Sequence, residues 1–230
     1  MHIVWDWNGT LFDDLEVVVR SVNHGLSGFG AIPIDLDGYR SHYTRPVKLF
    51  YDRLIGREIT ADEWITVDRV FHDAYLAALE EARLTVDAAE ALTAVANGGH
   101  TQSLLSMFPH RDLIPLVERL GIAGFFDRID GLAGGSPGDH KAGYLERHLR
   151  NLIAGEDPGS VVVIGDTPDD AIAALHVGAR PILYDGGSHH RQDLEATGAP
   201  VASSLMRAVV LALDSPSAGA PSPRRDGSAQ

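Results

Sequence analysis

The chain predicts an α/β fold, a Rossmann-like parallel sheet with helices on both faces, with a helical block inserted after the first strand. Three observations carry this. From about residue 85 onward, short apolar strands alternate with helical segments, the pattern of a parallel sheet covered by crossover helices. The β-branched run Val161-Val162-Val163-Ile164 suits a strand buried on both faces. Between the first strand and residue 85, about residues 14–84 carry helical spacing and no convincing strand.

Each element has its own signal. His2 to Trp5 is a short apolar strand ending in Asp6 and the turn-prone pair Asn8-Gly9. Leu15, Val18, Val19, Val22 and Leu26 recur at helical spacing over about 13–26. Thr60-Ala61-Asp62-Glu63 reads as a capping box opening a helix whose Trp64, Val67, Phe71 and Ala74 share a face. A helix over about 86–96 stops at Asn97-Gly98-Gly99, and a strand follows over about 101–106. The spacing then predicts a helix over about 111–120, a short strand near 126–130, a helix over 142–152, the Val161–Ile164 strand, a helix over 169–177, and a last strand over 181–184. Domain boundaries follow: a core of residues 1–13 and 85–213, a helical unit of 14–84, and a tail of 214–230 that is rich in Ser, Pro, Gly and Ala and expected to be disordered.

Composition narrows the function. At 230 residues, the chain is long enough for one α/β domain with an insertion, or for two small domains. The absence of cysteine excludes disulfides, thiolate nucleophiles and Cys-ligated zinc. A net charge of -13 with no basic cluster argues against a nucleic-acid partner. Met1-His2-Ile3-Val4-Trp5-Asp6 lacks the basic and apolar regions of a signal peptide, and no apolar run approaches the roughly 20 residues that span a bilayer. No membrane partner is expected, and the cytoplasm is the expected compartment. No feature of the sequence specifies an oligomeric state. Lysine occurs only at Lys48 and Lys141.

Ligands of open α/β sheets bind beyond the carboxyl ends of the strands. The polar residues at those ends are Asp6, Ser106 and Asp166; Asp170 follows one helical turn after Asp166, and Lys141 opens the preceding helix. Three carboxylates with no Cys and no H-E-x-x-H pattern suit magnesium rather than zinc. With a metal bound, one carboxylate can attack phosphorus to give an acyl phosphate. The Ser106 hydroxyl, the Lys141 ammonium and loop amides near Gly9 and Thr10 would then stabilise the phosphoryl oxygens.

These residues carry a family resemblance. Asp6-Trp7-Asn8-Gly9-Thr10-Leu11 resembles motif I (D-x-D-G-T-L) of the haloacid dehalogenase-type hydrolases. Ser106 is similar to motif II, Lys141 to motif III, and Gly165-Asp166-Thr167-Pro168-Asp169-Asp170 to motif IV. The match runs over about residues 1–200 in the family's order and spacing. It implies a magnesium-dependent phosphatase acting on a small phosphorylated metabolite, with Asp6 as nucleophile and Asp166 and Asp170 at the metal. The metal would also take the backbone carbonyl of Asn8. The block at about 14–84 resembles the helical cap of subfamily I, as in phosphoglycolate phosphatase-like enzymes.

One position departs from the pattern. Phosphatases of the family carry an Asp where this chain has Asn8, and an amide cannot shuttle a proton near neutral pH. General acid–base help is typically worth about 10²–10⁴-fold. The resemblance leaves three readings. In the first, a phosphatase has its shuttle replaced, with Asp13, Asp14 and His110 as nearby candidates. In the second, a carbon–phosphorus hydrolase resembles phosphonoacetaldehyde hydrolase, whose motif I also lacks that Asp, and Lys48 supplies a Schiff base. In the third, the chain is a catalytically silent phospholigand-binding module. Dehalogenases also lack the Asp, but they lack the intact Gly-Asp-x-x-x-Asp as well. Arg45 either reaches from the cap to a carboxylate or phosphate of the substrate or forms a surface ion pair, and Asp169 reads as an exposed helix-start carboxylate. His189-His190 reads as a solvated loop.

Overall fold

The computed structural model describes residues 1–133, 140–150, 152 and 157–214. Strand β1 (His2–Trp5) leads through a loop to the two-residue β2 (Phe12–Asp13) and then to four helices, α1 (Leu15–Ser27), α2 (Leu36–His42), α3 (Val47–Ile55) and α4 (Ala61–Ala78). The chain continues through β3 (Arg83–Leu84), α5 (Ala88–Asn97), β4 (Thr101–Pro109), α6 (His110–Arg119), β5 (Ile129–Leu132) and α7 (Lys141–Leu149). It ends with β6 (Val161–Gly165), α8 (Pro168–His176), β7 (Arg180–Tyr184), α9 (Arg191–Glu195), β8 (Val201–Ala202) and α10 (Leu205–Asp214).

Six strands form one sheet in the order β5-β4-β1-β6-β7-β8, and all its pairings are parallel. Chain order runs outward from β1 to β4 and β5 on one side, then to β6, β7 and β8 on the other. The reversal beside β1 opens a crevice at the carboxyl ends of β1 and β6. Period-two alternation sorts the strands between two cores. Ile3, Trp5, Leu104, Val162 and Ile164 face one apolar cluster with α5, α6 and α10. Val4, Leu105, Val161 and Val163 face the other, with α7 and α8.

The four helices between β2 and β3 have an apolar cluster of their own, built on Leu15, Val22 and Leu26 with Tyr39, Phe50, Tyr51, Ile59 and Val67. Helix α4 begins at the capping box read from the sequence: Thr60 Oγ1 accepts from Glu63 N at 3.2 Å, and Glu63 Oε2 accepts from Thr60 N at 2.8 Å. Trp64 and Phe71 pack on this cluster from its margin.

Four differences from the sequence reading have simple causes. β2 and β3 pair antiparallel where the chain leaves and re-enters the sheet, so residues 83–84 are a strand within a stretch read as helical. Two residues are too few for a period. β4 runs three residues past Ser106, with its pairing to β5 irregular between Leu105 and Pro109. β8 and α10 had no sequence-based expectation; Leu205, Ala208, Val209 and Ala212 are buried at helical spacing. Asp214, read as the start of the tail, ends α10, and residues 215–230 lie outside the described residues. Among the described residues, no helix is long and apolar enough to cross a membrane.

A buried polar chain ties β1, β4, β5 and α7. His2 Nδ1 lies 2.8 Å from Thr101 Oγ1, and its Nε2 lies 2.8 Å from Ser103 Oγ. Ser103 Oγ lies 2.7 Å from His148 Nε2, and His148 Nδ1 lies 2.8 Å from Asp130 Oδ2. With one proton on each ring, a single direction of donation from Thr101 to Asp130 satisfies every atom, which assigns the tautomers. Burial, helped by the neighbouring His148, pushes the His2 imidazole down to about 4. The unfolded chain therefore takes up a proton at His2 between its ordinary value of about 6.5 and about 4, where the folded chain does not. This contribution to stability is complete above about pH 6.5 and is lost as pH falls through about 4. Thermal unfolding of wild type and His2→Gln across that window should show the difference between them shrinking toward acid. A difference that does not change with pH would show that His2 is not held neutral.

Candidate active site

The loop after β1 is shaped by a glycine. Gly9 has φ +70°, and a Cβ there would stand 2.5 Å from Asp166 Oδ2, so the turn and the carboxylate behind it both require glycine. Gly9 N donates to Phe12 O at 2.9 Å and to Asp14 Oδ1 at 3.1 Å, while Thr10 N donates to Trp7 O at 3.1 Å. These two amides, expected from the sequence to face a phosphoryl group, are thus committed within the loop. The amides of Trp7 and Asn8 make no hydrogen bond to described residues and are free donors in this turn. Trp7 is fully buried and stacks on Phe12 with ring centroids 4.7 Å apart, which anchors the loop from below.

Asp6, Asp166 and Asp170 converge at the crevice, each offering a carboxylate oxygen within 4.8 Å of the others. All three are buried. Lys141, the first residue of α7, is buried among them; its Nζ contacts Asp6 Oδ1 and lies 2.5 Å from Asp170 Oδ1. Asp170 belongs to the capping box of α8: its Oδ2 accepts from Thr167 N at 3.0 Å and Thr167 Oγ1 at 2.6 Å. That fixes the side chain with Oδ1 turned to Lys141. Asp166 Oδ2 accepts from Ser188 N at 2.7 Å and Ser188 Oγ at 2.6 Å, and its Oδ1 from Thr10 Oγ1 at 3.3 Å.

Burial dominates the electrostatics. It raises Asp6 to about 8, against the pull of Lys141, with Asp170 and Asp166 adding to the rise. It raises Asp166 to about 6, with Asp170 adding and Ser188 opposing. Burial alone would lower Lys141, but the Asp170 and Asp6 carboxylates outweigh it and hold the ammonium above its ordinary range. Three carboxyl groups facing one ammonium favour an excess of negative charge, and among the described residues Lys141 is the only cation in direct contact with them. An all-oxygen donor set with that excess fits a hard divalent cation such as magnesium. Asp6, Asp166 and Asp170 are the side chains able to hold one.

The same cavity is lined by Asn8, Gly9, Asp14, Ser106, Arg45 and Ser188. Ser106 Oγ accepts from Phe108 N at 2.9 Å, and its proton has no acceptor among the described residues. Arg45 lies at the rim, 3.6 Å from Asp169 across the opening, and both side chains are half exposed. Lys48 does not reach the cavity. It lies on α3, 3.1 Å from Asp52 and 3.6 Å from Glu58, and its i,i+4 spacing with Asp52 accounts for that choice of partner. Of the three acid–base candidates, Asp13 is exposed in β2 and His110 Nδ1 accepts from Gly131 N at 3.1 Å, whereas Asp14 touches Asn8.

Several contributors were not singled out in the sequence. Ser188, which grips Asp166, sits beside the His189-His190 pair that was read as solvated. In the structure, His189 packs on the Tyr43 ring at 5.6 Å, and His190 Nε2 lies 3.2 Å from Ser41 Oγ. Arg40 of α2 donates from Nε to Gly187 O at 2.9 Å and from Nη2 to Gly186 O at 3.0 Å. A Cβ on Gly187 would collide with the Asp166 carboxylate. The loop is therefore the seam between the inserted helices and the sheet, and Gly186-Gly187-Ser188 was its only local signal.

Comparison with known proteins agrees with this geometry. The chain is 28% identical to a phosphoglycolate phosphatase of Synechococcus elongatus over 84% of its own length and 88% of the relative's. It is 22% identical to phosphoglycolate phosphatase 1 of Pseudomonas aeruginosa, over 90% and 75%. A solved haloacid dehalogenase-like family hydrolase from Streptococcus pneumoniae superposes with a TM-score of 0.77 at 20% identity, covering 91% of this chain and 97% of that one. The profile of the haloacid dehalogenase-like hydrolases matches residues 1–178. A profile match over most of the chain, on the sheet that carries the predicted residues Asp6, Ser106 and Asp166, makes this protein a member of the haloacid dehalogenase-like hydrolase family.

Proposed function

We propose that the protein is a magnesium-dependent phosphatase of small phosphomonoesters that works through an aspartyl phosphate on Asp6. The observation that carries this reading is the buried cluster of Asp6, Asp166 and Asp170 around Lys141, in a cavity also lined by Asn8 and Ser106. Asp6 Oδ1 is occupied by Lys141, whereas Oδ2 accepts no hydrogen bond from described residues and is the atom available to attack phosphorus. The oxygen–phosphorus bond to Asp6 forms as the bond to the leaving alkoxide breaks, and water then returns the carboxylate and releases phosphate. Ser106, Lys141 and the amides of Trp7 and Asn8 would hold the phosphoryl oxygens while charge builds on them. Magnesium, when bound, supplies the positive charge that lets a dianion approach three carboxylates. Asp166 and Asp170 would hold it with Asp6 and the Asn8 carbonyl. Arg45 is the cap side chain available to a second anionic group of the substrate.

The names of the relatives make 2-phosphoglycolate the first compound to test, beside other small phosphomonoesters. Phosphate release in magnesium should stop with chelator and fall by at least about 10³-fold in Asp6→Asn. Release that survives Asp6→Asn would remove Asp6 as nucleophile.

Stability gives a second check. A carboxyl raised to about 8 by burial binds its proton more tightly folded than unfolded, so it destabilises the metal-free fold increasingly as pH rises from its ordinary value toward about 8. In chelator, thermal stability should fall between about pH 6 and 8. Magnesium should restore it most at the upper end, and Asp6→Asn should flatten the trend. A magnesium effect equal at both ends would count against a site built on Asp6.

A further inference from the structure

Asn8 is held by two partners that turn its amide group away from catalysis by proton transfer. Its Nδ2 donates to Asp14 Oδ2 at 2.8 Å and to Tyr75 OH at 2.9 Å. Tyr75 OH in turn donates to Asp14 Oδ2 at 2.6 Å, and Asp14 Oδ1 accepts from Gly9 N at 3.1 Å. Asp14 occupies the N-cap position of α1 yet makes no capping hydrogen bond; its carboxylate is directed into the loop instead. Both Asp14 and Tyr75 are buried. Acceptor oxygens on Asp14 identify the atom facing them as Nδ2, so the network itself assigns the amide. Both Nδ2 hydrogens are thereby used. Oδ1 makes no hydrogen bond to described residues, and it is the side-chain atom of Asn8 left for the cavity that Asn8 and Asp14 line together.

We propose that Asp14 and Tyr75 are positioning residues that make an amide the required group at position 8, fixing Asn8 with its carbonyl oxygen presented to the cavity as an acceptor. The inference rests on the phosphatase reading for its catalytic meaning, although its geometry does not. A carboxylate at position 8 would put an oxygen where Nδ2 stands, 2.8 Å from Asp14 Oδ2 and 2.9 Å from the Tyr75 hydroxyl. One phenolic proton cannot serve both carboxylates, so two buried acceptors would face each other unless one takes up a further proton, which costs stability near neutral pH. Positions 8 and 14 thus accommodate one carboxylate and one amide, in either order. Exchanging them keeps a donor between the two side chains and keeps a partner for the Tyr75 proton. The backbone carbonyl of Asn8 is outside the network and is unaffected by the exchange.

The test is a four-protein cycle: wild type, Asn8→Asp, Asp14→Asn, and the two together. Thermal unfolding and phosphate release from 2-phosphoglycolate and p-nitrophenyl phosphate are measured in magnesium. Asn8→Asp alone should lower Tm by about 5 °C or more and give no gain in turnover. Adding Asp14→Asn should recover most of that loss and raise kcat above the Asn8→Asp value by about 10²-fold, with KM little changed. Additive Tm losses would overturn the proposal, as would an Asn8→Asp protein as stable as wild type. If Asn8→Asp gives no folded protein, recovery of folding in the double variant supports the proposal and failure of both to fold overturns it. Tyr75→Phe gives a separate reading. It should lower kcat at least about tenfold at unchanged KM, while a change in Tm with kcat intact would reduce Tyr75 to a packing residue and overturn its part. Coupled Tm values without phosphate release from any variant would support the Asn8–Asp14 pairing and overturn the phosphatase reading instead.

Discussion

Three carboxylates brought out of water to one sheet edge, with one ammonium among them, set the terms for the rest of this molecule. Desolvation works against their ionised forms, and mutual repulsion adds to it, which is why Asp6 and Asp166 sit well above the usual carboxylate range. Such a cluster persists only if each member is held by something stronger than its own chemistry. Lys141 bridges two of them, the α8 capping box grips Asp170, and Ser188 with Thr10 grips Asp166. Each grip uses a local motif of the fold: a helix start, a capping box and a glycine-rich loop.

The sheet supplies the foundation. Parallel strands that read Val-Val-Val-Ile or Ile-Val-Trp are buried on both faces, and the apolar clusters above and below hold their carboxyl ends in register. Asp6 and Asp166 follow directly on adjacent strands, β1 and β6, so their separation is set by strand spacing rather than by loop conformation. The inserted helices have a separate core, and they meet the sheet edge through Arg40, Tyr43 and His189 at the loop that also carries Ser188. The inserted helices thereby touch the neighbour of the residue that orients Asp166.

Position 8 shows how a departure from a motif reads differently in sequence and in space. In the sequence, an Asn where the family carries an Asp is a subtraction. In the structure, the amide is one corner of a closed triangle with Asp14 and Tyr75, each corner satisfying the others. The carboxylate missing from one position is present six residues later, pointing at the same place.

The sequence by itself determined the α/β class, the strands β1 and β6, the start of α4, and the set of residues at the strand ends that meet in the cluster. It could do so because these features are local. Apolar periodicity reports which face is buried, a capping box spans four residues, and the residue after a buried strand has only one edge of the sheet to occupy. Other features were decided only by the tertiary structure. Ser188 rather than His189 serves Asp166, the Gly9 and Thr10 amides are committed inside their loop, Lys48 turns to Asp52, and Tyr75 closes on Asn8 from α4. Thr10 and Asp166 are 156 positions apart, and Asn8 and Tyr75 are 67 apart. No period or turn signal records such pairings, because a hydrogen bond between distant residues exists only once the packing of everything between them has brought donor and acceptor within reach.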